Sequence, residues 1–300
     1  MLSWRSSPSS NPIRPGRSAN RRQSVPPKVG LLAGTGNLPR RLVDACEMQK
    51  RDVFVVTFEG DNHNDELNDV AGACVHLGQV GTVFRLLKEN GCEEVAMAGR
   101  FRRPAYNQLK LDLRATRLLP KLLRAKGDDA LLRVLTGALE HEGFKVVGAE
   151  SLLPTLQIGP GNLGSKSPQQ EDQADIALGS EIIRLLGPYD VGQAVVVRRG
   201  RVLGVEGPEG TDALLERCAT FDSVTGGTLV KMRKPGQDER VDLPSIGPET
   251  IRRAAAARLA GVAIEAHATL VLDQEEVRAQ ADRFGIFVVG FVEATTSDRQ

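Results

Sequence analysis

The sequence has little of several features that mark particular classes of protein. Only four of its 300 residues are cysteines, and they are far apart, so neither a disulfide framework nor a CxxC metal knuckle is indicated. No apolar run approaches the roughly 20 residues that cross a bilayer, and no signal-peptide core is evident at the N-terminus. We therefore expect a cytoplasmic protein with reduced, buried thiols.

The chain also lacks an excess of charge of either sign. Its 39 Lys and Arg residues face 38 Asp and Glu residues, so the formal net charge is +1 and nothing indicates a nucleic-acid partner. One local basic cluster lies between Arg100 and Arg133, where basic residues alternate with leucines. This pattern predicts a basic amphipathic helix, which either rests on anionic lipid or packs its leucines inside the protein.

Several catalytic motifs are missing as well. The chain has no GxxxxGK[ST] loop and no GxSxG elbow, and its four histidines show neither HExxH nor HxH spacing. These absences argue against an ordinary nucleotide triphosphatase, against acyl-enzyme chemistry and against a histidine-based zinc site.

What is present is an alternation of valine-rich strands and helices from Lys28 onward, which predicts a parallel sheet in an α/β protein. Residues 153–170 are dense in Pro, Gly and Ser and mark a domain boundary or a binding loop. We expect a disordered basic extension at residues 1–27 that is dispensable for activity, an N-terminal domain at 28–152 and a second α/β domain at 153–295. A ligand cleft is expected between the two domains.

A glycine turn follows the first predicted strand. Residues 30–39 read as an apolar strand, a Gly/Asn turn and a helix start, which either cradles a phosphate with backbone N–H groups or simply connects the two elements tightly. Gly34 and Gly36 can take positive φ and let a ligand approach the backbone. Because ligands bind beyond the carboxyl ends of parallel strands, residues 34–38, 59–61 and 99–103 should converge. Arg100 and Arg103 then suit bidentate phosphate binding.

Acidic residues at three other places suggest chemistry. Asp128 and Asp129 open one predicted helix, and Thr211 and Asp212 open another, so these side chains either cap helices or bind ligand hydroxyls, phosphate or the water shell of a metal. Asp242 lies in a short stretch that we expect to be extended and stopped by a proline. It is the first choice for an Mg²⁺ ligand or for the base that activates water.

Six motifs together resemble the LpxI-type UDP-2,3-diacylglucosamine pyrophosphatases. They are residues 30–39 (GLLAGTGNLP), 98–104 (AGRFRRP), 126–132 (KGDDALL), 190–193 (DVGQ), 209–212 (EGTD) and 240–247 (RVDLPSIG). The resemblance runs from about Lys28 to about Gly290. It implies a Rossmann-like N-terminal domain and a C-terminal domain of its own type. It also implies Mg²⁺-dependent hydrolysis of UDP-2,3-diacylglucosamine to UMP and 2,3-diacylglucosamine 1-phosphate in lipid A synthesis, with Mn²⁺ as a substitute ion.

The resemblance further implies roles for individual residues. Asp242 matches the catalytic aspartate and is expected to bind the metal. The expected substrate-binding residues are Gly34, Thr35, Gly36, Asn37, Leu38, Gly99, Arg100, Arg103, Asp128, Asp129, Gln193, Thr211 and Asp212. The implied partner is a lipid-linked nucleotide sugar, while peripheral contact with the inner membrane and a homodimer stay open.

Two other functions remain open from the residues. A dinucleotide-dependent oxidoreductase would use the same glycine turn, although Glu59 is its one candidate for the acidic residue after the second strand. A non-enzymatic regulator would bind nucleotide or lipid and dock its basic helix on a membrane. Titration with NAD(H) separates the first reading from a hydrolase, and Mg²⁺-independent binding without UMP release would favour the second.

Overall fold

The computed structural model describes residues 26–60, 63–101, 110–124, 127–221 and 225–292. Over these ranges the chain is a mixed α/β protein with two main sheets, which confirms the predicted class. The expected disorder of residues 1–27 falls almost wholly outside the described residues, as do Arg103 and residues 293–295. No helix within the described ranges is long and apolar enough to span a membrane.

The first sheet has five strands, all parallel, as the valine-rich alternation predicts. The elements of this part are β1 (Val29–Ala33), α1 (Leu38–Met48), β2 (Val53–Phe58), β3 (Gly72–Val75), α2 (Val80–Glu89), β4 (Glu94–Ala98), α3 (Leu113–Arg124), α4 (Asp128–His141), β5 (Lys145–Val146) and α5 (Ala149–Leu152). The strand order is β3-β2-β1-β4-β5, so the direction of winding reverses between β1 and β4. In open parallel sheets this reversal opens a crevice at the carboxyl ends of the two strands.

The second sheet has six strands of mixed direction. The elements of this part are β6 (Gly161–Asn162), α6 (Gln170–Leu186), β7 (Ala194–Arg198), β8 (Arg201–Val205), α7 (Gly210–Ala219), β9 (Thr228–Lys231), β10 (Ser245–Ile246), α8 (Pro248–Ala256), β11 (Gly261–Glu265), β12 (Leu270–Val271), α9 (Gln274–Phe284) and β13 (Phe287–Phe291). The order is β6-β13-β11-β9-β7-β8. Strands β9, β11 and β13 run parallel to one another. Strand β6 is antiparallel to β13, β7 is antiparallel to β9, and β8 is antiparallel to β7. Strands β10 and β12 form a separate parallel pair.

Each main sheet buries apolar side chains on both faces. Leu31 and Leu32 are neighbours on β1 but belong to different apolar clusters, because successive side chains of a strand point to opposite faces. Val262 and Ala263 on β11 divide in the same way. The helices that cover both faces explain why β1 and β4 are buried along their whole lengths.

A buried carboxylate fixes the amino end of β4, opposite to the crevice. Glu94 accepts a hydrogen bond from Lys145 Nζ at 2.8 Å and pairs with Arg51, and its side chain is 11% exposed. Burial alone would raise the pKa of Glu94, but the hydrogen bonds from Lys145 and Arg51 outweigh it and lower the pKa below the ordinary value. The ionised carboxylate therefore stabilises the fold.

We predict that Glu94→Gln lowers the free energy of unfolding by about 1 to 3 kcal/mol at neutral pH, because Arg51 and Lys145 lose their charged partner. A lowered folded-state pKa contributes stability above the unfolded-state value, and this contribution is lost as the pH falls through the folded-state pKa. The difference between parent and variant in urea unfolding should therefore shrink below about pH 4.5, the ordinary glutamate value. A difference that stays constant down to pH 3 would contradict the assignment.

Candidate functional site

The segments that follow β1 and β4 lie against each other. The N–H of Gly34 donates to the carbonyl of Ala98 at 2.8 Å, and Thr35 and Arg100 exchange two N–H···O bonds of 3.0 and 2.9 Å. The predicted convergence of the glycine turn with residues 99 and 100 is confirmed. A role for these residues in binding substrate stays a prediction.

Gly34 and Gly99 allow the segments after β1 and β4 to pack backbone against backbone. Gly34 does not adopt positive φ, and a Cβ there would lie 2.5 Å from the carbonyl oxygen of Arg100. Gly99 has φ +91°, and a Cβ there would lie 2.7 Å from the carbonyl oxygen of Thr35. Gly34 therefore does not use the positive φ that glycine allows, and the neighbouring strand end occupies the space where its Cβ would lie.

Fewer backbone N–H groups are available to a phosphate than the sequence predicts. The N–H groups of Gly34 and Thr35 are bonded to other backbone groups, as described above. Among the residues that the structure describes, nothing accepts from the N–H of Gly36 or Asn37. Both residues are exposed, and Gly36 has the expected positive φ of +97° with open space around it, whereas Leu38 is half-buried against the core. Gly36 and Asn37 therefore form the part of the turn that an anion can reach.

Asn64 supports this turn and was missed by the sequence analysis. Its Nδ2 donates to the carbonyls of Gly34 at 2.8 Å and Gly36 at 3.0 Å, so the side chain clamps both sides of the turn. Asn64 lies six residues beyond the end of β2. A polar residue near the carboxyl end of a parallel strand is a signal that could have identified it. Glu59 from the same region is exposed and lies 2.9 Å from His76 Nδ1, and Asp61 lies outside the described residues.

The second sheet brings another set of polar groups to one edge. Ala194 at the start of β7 lies opposite Lys231 at the end of β9, because these two strands are antiparallel. The N–H of Glu206, just past β8, donates to the carbonyl of Ala194 at 2.8 Å. Gln193, Glu206 and Lys231 therefore lie side by side at this edge.

A buried hydrogen-bonded network joins these residues to the start of α7. Lys231 Nζ donates to the hydroxyl of Thr211 at 2.7 Å, and that hydroxyl donates to Glu206 Oε1 at 2.5 Å. Glu206 Oε2 accepts from the N–H of Gln193 at 2.7 Å. Thr211 thus links a cation and an anion. Lys231 and Glu206 belong to no motif, and their signal in the sequence is a charge on the last residue of an apolar strand or directly after it.

The buried Lys231 of the second sheet is affected by charges from both sheets. Burial lowers the pKa of Lys231, Glu206 and Asp212 oppose this shift, and the positive charge of Arg100 lowers the pKa further. Arg100 belongs to the first sheet and Lys231 to the second, so the two residues place positive charge on both sides of the same region. Asp212 is also 3.7 Å from Arg253 Nε.

Asp242 joins this region through two glutamines. Its Oδ2 accepts a hydrogen bond of 2.6 Å from Gln237 Nε2, which also lies 3.3 Å from Gln193 Oε1. The expected extended backbone before Asp242 is wrong. Residues 239–241 form a turn, and the N–H of Asp242 donates to the carbonyl of Asp238 at 3.1 Å. The turn and Gln237 together orient the half-buried carboxylate.

The start of α4 approaches the same turn. Gly127 lies directly against the carboxylate of Asp190, which pairs with Lys234, and the N–H of Lys234 donates to Gln237 Oε1 at 3.0 Å. The side chains of Asp128 and Asp129 lie outside the described residues. The motif at 126–132 nevertheless meets the motif at 190–193 through Gly127 and Asp190.

The donor set around Asp242 fits Mg²⁺ but not a protein-only metal cage. In the described part of the chain, no group of three or more His, Cys, Asp and Glu side chains could hold a metal ion. Mg²⁺ needs no such group, because it keeps several waters and binds through one or two carboxylates and the phosphates of a substrate. The oriented carboxylate of Asp242 meets that requirement.

Known proteins match nearly the whole chain. The family model described as LpxI N-terminal domain matches residues 28–156, and the LpxI C-terminal domain matches residues 159–289. UDP-2,3-diacylglucosamine pyrophosphatase LpxI from Caulobacter vibrioides is 43% identical over 272 residues, covering 88% of this chain and 97% of that protein. The biotin carboxylase domain of Hydrogenobacter thermophilus 2-oxoglutarate carboxylase, a solved structure, matches at a TM-score of 0.25 with 12% identity, covering 65% of this chain and 41% of its own. That structural likeness is too low to support any argument.

We predict that Gly34→Ala destabilises the protein by about 1 to 3 kcal/mol, because the new methyl group displaces the backbone of Arg100. Gly137→Ala is the matched control. Gly137 lies inside α4, and a Cβ there meets nothing within 4 Å, so this variant should gain about 0.5 to 1 kcal/mol. Urea unfolding measures both changes. Equal stabilities for the two variants would contradict the close backbone packing at Gly34.

Proposed function

This chain belongs to the LpxI family, and we propose that it hydrolyses the pyrophosphate bond of UDP-2,3-diacylglucosamine. The products are UMP and 2,3-diacylglucosamine 1-phosphate, an intermediate of lipid A biosynthesis. The observation that carries this proposal is the 43% identity to the Caulobacter vibrioides pyrophosphatase over 88% of this chain. The geometry also supports it, since hydrogen bonds hold an oriented carboxylate next to the polar edge of the second sheet, where the charge of Arg100 acts as well.

We propose that the substrate is held between two domains, a Rossmann-like domain at residues 28–152 and a C-terminal α/β domain at 153–295. The reversal of strand order between β1 and β4 supports the first assignment. The two adjoining family matches support the boundary. The positive charge of Arg100, which acts on the buried Lys231 of the second sheet, supports a ligand site near both residues.

The proposed site offers positive charge to the diphosphate from several directions. The exposed guanidinium of Arg100 and the N–H groups of Gly36 and Asn37 approach from the first sheet. The second sheet contributes the charge of Lys231, whose ammonium is buried and donates to the Thr211 hydroxyl. Pre-oriented donors of this kind stabilise the charge that develops on the transferred phosphate, and they need no reorganisation during the reaction. Arg103, Asp128, Asp129, Gln193 and Asp212 complete the proposed substrate-binding set.

Asp242 is the proposed catalytic residue and metal ligand. Gln237 fixes one oxygen of its carboxylate, so the direction of the other is fixed as well. We propose that Asp242 holds Mg²⁺, or Mn²⁺ as a substitute, together with the phosphates of the substrate. The bound ion would neutralise phosphate charge and help to activate water.

The substrate carries two acyl chains, so the proposed enzyme works on a molecule that resides in membranes. We therefore propose peripheral contact with the cytoplasmic face of a membrane. A homodimer stays a prediction.

We predict that Asp242→Asn reduces UMP release from UDP-2,3-diacylglucosamine in the presence of Mg²⁺ by at least about a hundredfold, which is close to 2.7 kcal/mol of barrier. Asparagine keeps an oxygen that can accept from Gln237 but removes the negative charge. Glu239→Gln is the matched control, since it removes an exposed carboxylate three residues away.

The control should retain activity within about threefold, and both variants should keep the unfolding midpoint of the parent. Normal turnover of a well-folded Asp242→Asn variant would remove Asp242 from the chemistry. No UMP release by the parent protein would overturn the proposed function itself.

A further inference from the structure

A groove between α3 and α4 lies beside the proposed active site but contains none of its residues. It has a volume of about 1020 Å³. Apolar side chains line part of it, namely Phe84, Leu118, Ala130, Val134 and Ala138. Basic side chains line most of the rest, namely Arg114, Arg117, Lys121, Arg124 and Arg133, and Glu142 is the acidic residue in the lining. An apolar surface edged by cations suits an anionic amphiphile.

Most of the positive charge on α3 is not neutralised by the protein. Helix α3 contains four basic residues and no acidic one. Arg114 pairs with Glu142, but Arg117, Lys121 and Arg124 have no ion-pair partner among the side chains that the structure describes. Exposed cations that the fold does not use are available to a negatively charged partner.

The outward side of α3 is also unusually apolar. Leu113 is 70% exposed and Leu123 is 61% exposed, whereas Ala115 on the opposite side is 1% exposed. At 100° per residue, Arg117, Lys121 and Arg124 fall on the same outward half of the helix as these leucines. Exposed leucines between basic residues are typical of helices that lie in the interface of an anionic membrane. They do not suit single-stranded nucleic acid, whose binding combines cations with stacking aromatic side chains.

The groove also adjoins the residues that orient Asp242. Arg133 on its α4 side donates to the carbonyl of Gly236 at 3.1 Å. Gly236 precedes Gln237, which binds the Asp242 carboxylate. A membrane on this surface would therefore lie next to the proposed site.

We propose that the outward face of α3 and the adjoining groove dock the protein on an anionic phospholipid membrane. The cations lie at the lipid phosphates, and Leu113 and Leu123 enter the interface. This inference rests on the proposed function to the extent that docking serves a diacylated substrate.

The test is cosedimentation of the full-length protein with phosphatidylglycerol/phosphatidylcholine vesicles and with pure phosphatidylcholine vesicles. The parent should bind the anionic vesicles only, and high salt should weaken the binding. The triple variant Arg117→Gln, Lys121→Gln, Arg124→Gln should bind about a hundredfold more weakly. A matched control removes three paired helical arginines, Arg85→Gln, Arg252→Gln, Arg278→Gln, and changes the net charge equally.

The control variant should bind vesicles like the parent, and Leu113→Ser with Leu123→Ser should weaken binding without changing the charge. Equal binding by the parent and the α3 triple variant, or an equal loss in the control, would overturn the proposal. Binding to single-stranded RNA in place of vesicles would overturn it too.

Hydrolysis assays separate docking from the proposed function. The α3 triple variant should release UMP from detergent-solubilised substrate within about twofold of the parent, and more slowly from substrate embedded in anionic vesicles. A raised KM in detergent as well would assign the groove to the acyl chains of the substrate and contradict membrane docking. Vesicle binding by a parent protein that releases no UMP would refute the proposed function while supporting the docking surface.

Discussion

The polar edge of the second sheet is arranged around the buried ammonium of Lys231. A charge at that depth is costly unless hydrogen bonds and an opposite charge compensate it. Thr211 and Glu206 supply both, and this requirement fixes the end of β9, the start of α7 and the residue after β8 relative to one another. Gln193 enters the same network through its backbone N–H, and its side chain leads on to Gln237 and Asp242. The proposed catalytic carboxylate is thus connected to the buried lysine through hydrogen bonds.

In the first sheet the constraint is steric and acts on the segments that follow β1 and β4. Gly34 and Gly99 allow two strand ends to pack backbone against backbone. The backbone pairing of Thr35 with Arg100 then fixes the position of the Arg100 backbone, from which its side chain extends. Its charge acts on Lys231 across the junction. Both charges are positive, so an anionic ligand near them would meet a favourable potential.

The parallel sheet and the meeting of residues 34–36 with 99–100 could be predicted, because valine-rich alternation and the geometry of parallel strands are local or general properties. The hydrogen bonds that the Gly34 and Thr35 amides donate could not be predicted, because their acceptors lie about 65 residues away in the sequence. The turn before Asp242 was mistaken for an extended stretch, since a nearby proline indicates either. Lys231, Glu206, Asn64 and Gln237 were missed because single polar residues at or beyond strand ends form no motif. Only the antiparallel pairing of β7 with both β8 and β9 brings Lys231 and Glu206 together.

The central claim is that the edges of the two sheets meet closely enough for Arg100 to act on Lys231. Its most direct test is the pKa of Lys231, followed by NMR titration of ¹³C-labelled lysine in the parent and in Arg100→Gln, with the resonance assigned from Lys231→Arg. The account predicts a pKa below the ordinary lysine value of 10.5 in the parent, and a higher pKa once the positive charge of Arg100 is removed. An ordinary pKa in the parent, or the same pKa in both proteins, would contradict it.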